Sequence, residues 1–277
     1  METSITQGTV QVDGASIYYE RRGDGPAVLL VSPGQGEAAN FARVADLLAD
    51  DYTVLTLDRR GVGRSQWQGP SRPYNLLQHA QDAVAVIKAN GFESAAVAGC
   101  SSGASIVLEL VAAYPEAVGR AVSHEPPVIT GLPDRAELLD YCDSLEAMAE
   151  DGQPGQAYAG HIRRVGLADL MPAPAGPPSP EMLENLKRFM TDTAPATNYY
   201  RPNYARLREA KDRLVIAYGR DGLSGLGVEE PGKAIFTVRT AQAVAQRLGM
   251  EAVEFPGNHI LPITDPAAFA AALRPLL

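Results

Sequence analysis

Short, mostly apolar runs alternate with helix-patterned segments over residues 1–126 and again over 212–277. This alternation constrains the fold more than any other feature of the chain. AVLLVS (27–32), YTVLTLD (52–58), SAAVAGC (94–100) and RLVIAYG (213–219) have the length of strands and no polar alternation, as expected of strands covered on both faces. Between them, EAANFARVADLLAD sets Phe41, Val44, Ala45 and Leu48 on one helical face. NLLQHAQDAVAVIKANG is a helix stopped at Gly91, and SGASIVLELVAAY is a helix ended by Pro115. Such strands, joined by helical crossovers, predict a mostly parallel sheet with helices on both faces. TVQVDGASIYYERRG predicts an antiparallel pair about Asp13-Gly14.

The alternation breaks once. After AVSHEPP (121–127), residues 127–211 show helical periodicity and no convincing strand, interrupted by MPAPAGPPSP (171–180), which reads as an irregular linker. A helix TVRTAQAVAQRLG, a strand EAVEFPG and a final helix from Pro266 complete the resumed pattern. The expected organisation is a core domain of residues 1–126 and 212–277, with 127–211 inserted as a helical lid, or cap. The insertion falls where it can cover the C-terminal ends of the strands, the edge at which open α/β sheets bind ligands.

Charge narrows the partners. A net charge of −9 argues against nucleic acid and anionic membrane, both of which need basic patches, and leaves a small molecule as the expected partner. GVGRSQ lacks the third glycine of a dinucleotide fingerprint, Gln66 standing in its place. No cluster of Cys, His and carboxylates has metal-ligand spacing. The two cysteines, Cys100 and Cys142, suggest no disulfide framework. With no basic-then-apolar leader and no membrane-length apolar run, this predicts a cytoplasmic protein.

VAGCSSGAS (97–105) puts a cysteine and two serines between glycines, where a buried strand meets a helix. Gly99-Cys100-Ser101-Ser102-Gly103 fits G-x-S-x-G with Ser101 central. A sharp strand-to-helix turn strains its central residue, and side chains two positions either way would collide, so glycine is needed there. Ser101 then stands exposed as a nucleophile. Cys100 is expected to face the sheet as a small apolar filler. Ser102 is expected to offer its backbone N–H to a developing oxyanion and its hydroxyl as a helix cap. A second oxyanion donor is expected from Gly34 or Gln35 in VSPGQGEA (31–38).

Of four histidines, only His259, in the loop EFPGNHILP after the last strand, lies where this chain order places a base. His79 is mid-helix and His161 in the insertion. His124 directly precedes a candidate acid and so faces elsewhere. Two carboxylates compete for the acid. Asp221 in YGRDGLS follows a suitable strand, but the frequent pattern puts the acid three residues past the glycine, at Gly222. Glu125 in SHEPP ends the strand before the insertion, held rigid beside two prolines, and is favoured.

Together these features resemble the α/β-hydrolase superfamily over essentially the whole chain, and DRRGVGRS (58–65) resembles the loop after its fourth strand. GCSSGAS, YPEAVGRAVSHEPP and PGNHILPITDP resemble, more narrowly, the serine lactone hydrolases that open the macrolactone of zearalenone. The resemblance implies an eight-stranded, mostly parallel sheet with a helical lid inserted after the sixth strand. It also implies a Ser101, Glu125 and His259 triad. One departure stands out: the lid tryptophan of that family has no counterpart, the sole tryptophan being Trp67, outside the insertion. Phe189, Met190, Tyr199, Tyr200 and Tyr204 are the candidate substrate contacts in the insertion, ordinary lid packing being the other reading. The expected activity is cofactor-independent hydrolysis of a carboxylic ester or lactone. Carbon–carbon bond hydrolysis, cofactor-free oxygenation and slow-turnover ligand reception use the same scaffold.

Overall fold

The computed structural model describes residues 4–170, 177–224 and 234–277. Eight strands form one continuous sheet: β1 (Ile5–Val12), β2 (Ala15–Arg22), β3 (Ala27–Val31), β4 (Thr53–Leu57), β5 (Ala95–Cys100), β6 (Val118–His124), β7 (Leu214–Gly219) and β8 (Val253–Phe255). Their spatial order is β1-β2-β4-β3-β5-β6-β7-β8. β1 and β2 pair antiparallel about Asp13-Gly14, and β2 pairs antiparallel with β4. Every pairing from β4 through β8 is parallel. The expected strand count therefore holds along the main path. A ninth strand of two residues, Gln66–Trp67, pairs with β2 and is too short to leave an alternation pattern.

Alternate residues of each buried strand feed opposite layers, as the period of two requires. Leu29 and Val31 join the cluster under α2 (Leu76–Ala89), α3 (Ser102–Ala113) and α9 (Phe236–Leu248). Val28 and Leu30 join a second cluster on the other face, with α1 (Ala42–Leu48) and α11 (Pro266–Leu273). Phe41, Val44, Ala45 and Leu48 are wholly buried in that second layer.

Between β6 and β7 the described residues carry helices and no strand: α4 (Arg135–Glu150), α5 (Pro154–Arg164), α6 (Pro180–Arg188), α7 (Ala194–Asn198) and α8 (Tyr204–Glu209). A π-helical turn, Phe189–Thr193, joins α6 to α7. Leu145, Ala149, Ala157, Phe189, Met190 and Ala194 form an apolar cluster of their own within this segment. Residues 171–176 of the expected linker lie outside the described residues, and its last residue, Pro180, begins α6 under a Ser179 cap. A short α10 (Leu261–Thr264) precedes α11. Among the described residues no helix is long and apolar enough to cross a membrane, and no group of three or more His, Cys, Asp or Glu is placed to hold a metal.

The order in which successive parallel strands are added reverses at β3, which has β4 on one side and β5 on the other. Loops leaving β3 and β5 therefore open away from each other, and a crevice forms between them. Residues 32–37 leave β3 there, and Ser101 leaves β5.

Candidate active site

Ser101 is the first residue beyond β5 and has φ 55°, ψ −122°. A left-handed conformation of this kind in a residue with a side chain costs about 1–3 kcal/mol and persists only where its surroundings enforce it. The enforcement is visible. A Cβ at Gly99 would lie 2.5 Å from the Gly103 carbonyl oxygen, and one at Gly103 would run into the carbonyl oxygen of Val31. Only glycines let helix α3 start this close to the sheet.

Glu125 repeats the arrangement one strand over. It is the first residue beyond β6, has φ 50°, and with Ser101 makes up the non-glycine positive-φ residues among those described. Cys100 and His124 are register partners. The Ser101 N–H donates to the His124 carbonyl (2.9 Å) and the Glu125 N–H to the Ala217 carbonyl (2.9 Å), extending the parallel ladders by one residue each. Ser101 and Glu125 are thus neighbours by sheet register.

His259 joins them from the loop after β8. Its Nε2 lies 3.0 Å from Ser101 Oγ, and its Nδ1 lies 2.6 Å from Glu125 Oε2. The loop is fixed by Gly257 at φ 79°, by the Asn258 side chain accepting from the Ile260 N–H (2.9 Å), and by the Cys100 thiol donating to the His259 carbonyl (3.1 Å). Cys100 is otherwise the buried filler expected, packed in the second core layer. His259 and Glu125 are buried and Ser101 is half-buried, so water reaches the serine end of the line first.

Glu125 carries no exposed surface. Burial pushes its pKa up, but the contacts with His259, the nearby His124 and the Thr237 hydroxyl outweigh it and hold the carboxyl down at about 2. The Gly219 N–H donates to Oε1 (2.8 Å) and Thr237 Oγ1 to Oε2 (2.6 Å). Thr237 was not legible in the sequence, because a threonine in the first turn of a helix has no motif to mark it.

The alternative acid is not brought to the histidine. Asp221 is exposed, its N–H donates to the Gly257 carbonyl (2.9 Å), and its own carbonyl accepts from Ser224. At position 222 a Cβ would lie 2.6 Å from Val238 Cγ2, so an aspartate has no room there. His124 faces the opposite layer as expected, its ring 5.5 Å from Phe255 and 5.9 Å from Phe269. Burial lowers its pKa to about 4, with His259 adding to the effect and Glu125 opposing it.

The loop after β3 turns tightly, with Gly34 at φ 58° and the Gly36 N–H donating to the Pro33 carbonyl (3.1 Å). Ser102 Oγ donates to the Gly34 carbonyl (3.0 Å) instead of capping α3, a correction to the expectation from sequence. The hydroxyl can reach across because α3 lies so close to this loop. Beside the loop a cleft of about 510 Å³ is lined by Gly34, Gln35, Tyr158, Ile162, Leu186 and Ile260, among others.

The structure gives the five aromatic and methionine candidates of the insertion packing roles. Phe189 and Met190 are buried in the insertion's own cluster. Tyr199 is exposed and its hydroxyl donates to Asp143. Tyr200 is buried and donates to Glu109 (2.7 Å). Tyr204 packs beneath the Arg247 guanidinium (4.3 Å). None of the five contacts Ser101, His259 or Glu125 by hydrogen bond or ring packing. Helical periodicity marks which residues turn inward but not what they meet. Trp67 lies in the two-residue strand, under the Arg60 guanidinium (5.3 Å).

Comparison with known proteins gives a consistent picture. A family model described as alpha/beta hydrolase fold matches residues 26–165. The uncharacterized hydrolase YraK of Bacillus subtilis (strain 168) is 31% identical over 271 residues, covering 92% of this chain and 90% of that protein. A zearalenone hydrolase of Bionectria ochroleuca is 32% identical over 151 residues, covering 53% of this chain and 54% of that protein. The crystal structure of an alpha/beta hydrolase from Sphaerobacter thermophilus superposes with a TM-score of 0.63 at 25% identity, covering 97% of this chain and 99% of that one.

Proposed function

The chain belongs to the alpha/beta hydrolase fold family, and from that premise we propose that it is a serine hydrolase cleaving a carboxylic ester or lactone through an acyl-enzyme. The observation that carries the reading is the unbroken line of hydrogen-bond contacts from Ser101 through His259 to Glu125.

In this reading Glu125 accepts from Nδ1–H of His259. That fixes the tautomer in which Nε2 is bare and faces Ser101 Oγ. Nε2 takes the serine proton as Oγ attacks the substrate carbonyl carbon, and the buried carboxylate stabilises the imidazolium that forms. The carbonyl oxygen becomes an oxyanion held by the backbone N–H of Ser102 and one from the Gly34–Gln35 loop. Nε2–H then protonates the departing alkoxide, leaving an acyl ester on Ser101. Water, deprotonated by the same nitrogen, releases the acid. Each proton has a named carrier, and the scheme asks for no cofactor. In a lactone the leaving alkoxide stays tethered to the acyl group, and a hydroxy acid is the product.

Two further observations support a small, largely apolar neutral substrate. The cleft beside Gly34 and Gln35 presents Tyr158, Ile162, Leu186 and Ile260, and its charged lining residues Glu37 and Glu181 are acidic. The similarity to a zearalenone hydrolase favours a lactone among the esters tried first.

Rapid mixing with an aryl ester should give a burst of alcohol approaching one equivalent, and intact-mass analysis should find the acyl group on Ser101. Ser101→Ala should lower kcat about 10⁴-fold or more. Wild-type turnover retained by Ser101→Ala would sink the reading.

A further inference from the structure

Arg59 is a buried cation with no carboxylate partner among the described residues, and all of its bonds but one, to Tyr74, go to one loop and to Ser102 beside it. It is 1% exposed. Its backbone N–H donates to the Gly36 carbonyl (2.9 Å), its Nε to the Gln35 carbonyl (3.1 Å), and a terminal nitrogen to the Gly34 carbonyl. The other terminal nitrogen reaches the Tyr74 hydroxyl and Ser102 Oγ (3.3 Å). One residue therefore takes three consecutive carbonyls of the loop after β3. The fit is close: a Cβ at Gly36 would run into the Arg59 side chain. Neighbouring Asp58 does not neutralise it, because its carboxylate is taken by the Ala38 N–H and by Arg64.

In a trans peptide the C=O and N–H point in opposite directions. Arg59 and Ser102 Oγ both donate to the Gly34 carbonyl, so the N–H of Gln35, in the same peptide unit, faces away from them. We infer that Arg59 is a positioning residue for oxyanion stabilisation: it aims and polarises the 34–35 peptide so that the Gln35 N–H, not that of Gly34, is the loop's donor to the oxyanion. This inference rests on the ester-hydrolase reading of the site. Ser102 then serves twice. Its N–H is one donor, and its hydroxyl braces the peptide that carries the other. A guanidinium with no carboxylate partner among the described residues is also a full positive charge behind the spot where negative charge develops, in surroundings that screen it weakly. Planarity is part of the function, because one ammonium cannot serve the Gly34 and Gln35 carbonyls in the geometry of the fork.

The experiment compares wild type, Arg59→Met, Arg59→Lys and Ser101→Ala with an aryl ester as substrate and phenylboronic acid as the transition-state probe. The boronate adds to the serine oxygen and places a negatively charged tetrahedral group in the oxyanion position. Arg59→Met should lower kcat about 100-fold with KM changed no more than about twofold, and weaken boronate inhibition by a similar factor. Arg59→Lys should fall between, at about tenfold. The inhibition constant is the decisive readout. Partial unfolding lowers the amount of active protein but leaves the constant of the folded fraction unchanged. Wild-type boronate affinity in the folded fraction of both Arg59 variants would overturn the inference while leaving the hydrolase reading in place. A wild type that neither turns over esters nor binds boronate through Ser101 would remove both.

Discussion

Replacing Glu125 by glutamine changes one oxygen to an NH₂ group, and the structure says which way the amide must turn. Three donors converge on the carboxylate: the Gly219 N–H at Oε1, and Thr237 Oγ1 and His259 Nδ1 at Oε2. A backbone N–H cannot become an acceptor, so the glutamine carbonyl must face Gly219. Its NH₂ then faces Thr237, whose hydroxyl can rotate to accept, and His259, whose Nδ1 can accept only if its proton moves to Nε2. That tautomer turns an N–H toward Ser101 and leaves no site for the serine proton. In a serine triad the wrong tautomer, with loss of the charge behind the imidazolium, is worth about 10⁴-fold in kcat, or roughly 5.5 kcal/mol. KM on a short aryl ester should hold within about threefold, because Glu125 is fully buried against the His259 Nδ1 side, away from Ser101 Oγ.

The same substitution has a signature without catalysis. The Glu125 carboxyl is held at about 2 against an ordinary 4.5. A carboxylate with a depressed folded-state pKa adds stability above its unfolded pKa and loses it as pH falls through the folded one. The window is therefore from about 4.5 down to about 2, and the shift corresponds to roughly 3 kcal/mol. Urea unfolding as a function of pH should show wild type losing that increment over the window, with Glu125→Gln lacking it. Asp221→Asn, at an exposed carboxylate, should be near neutral in both assays. Unchanged kcat in Glu125→Gln together with a large loss in Asp221→Asn would refute the assignment of the acid.

Two more outcomes follow from geometry already described. Gly103→Ala must push α3 away from the Val31 carbonyl; about 1–3 kcal/mol of stability and most of the burst amplitude should go together, read by denaturant melts and rapid mixing. His124, held at about 4 by burial, stays neutral while the unfolded chain takes up its proton, so stability should be full above about pH 6.5 and fall by roughly 3 kcal/mol toward pH 4, with a His124→Asn variant showing a shallower slope in urea melts.

Residues that had to be of one type for a steric or chemical reason were the legible ones. Leu29, Leu30 and Leu55 mark strands because parallel strands buried on both faces read as mostly apolar runs. Gly99 and Gly103 mark the elbow because no side chain fits. His259 was legible because few histidines compete for its role. Glu125 stood out as a carboxylate where apolar residues and prolines surround it. Arg59 and Thr237 escaped for the opposite reason. Arg59 bonds mainly backbone carbonyls, which every residue has, so nothing in its neighbours' identities announces it. Thr237 lies more than a hundred positions from Glu125 and meets it only through the packing of α9 on β7. For Phe189, Met190 and the three tyrosines, apolar or aromatic character was legible and the partner was not.

Placing the proposed acid at the end of β6 rather than after β7 has a mechanical consequence. Glu125 stands at the start of the crossing into the inserted segment, and its left-handed backbone would relax in isolation. Four hydrogen bonds hold it: its own N–H on Ala217, its carboxylate on Gly219 and Thr237, and the Pro126 carbonyl, which accepts from Thr240 Oγ1 at 2.6 Å. Strands β6 and β7 and helix α9 therefore meet at the root of the insertion, on the residue bonded to the His259 ring. A strain of about 1–3 kcal/mol is offset there by charge-assisted hydrogen bonds of roughly 1.5–3 kcal/mol each, so the carboxylate and the backbone that carries it stabilise one another. Asp221, after β7, stays exposed with no hydrogen bond to His259, and the space at Gly222 closes over Val238 and Ile235. An aspartate introduced at 222 thus meets a filled core, so that single substitution should not supply a replacement for the proposed acid.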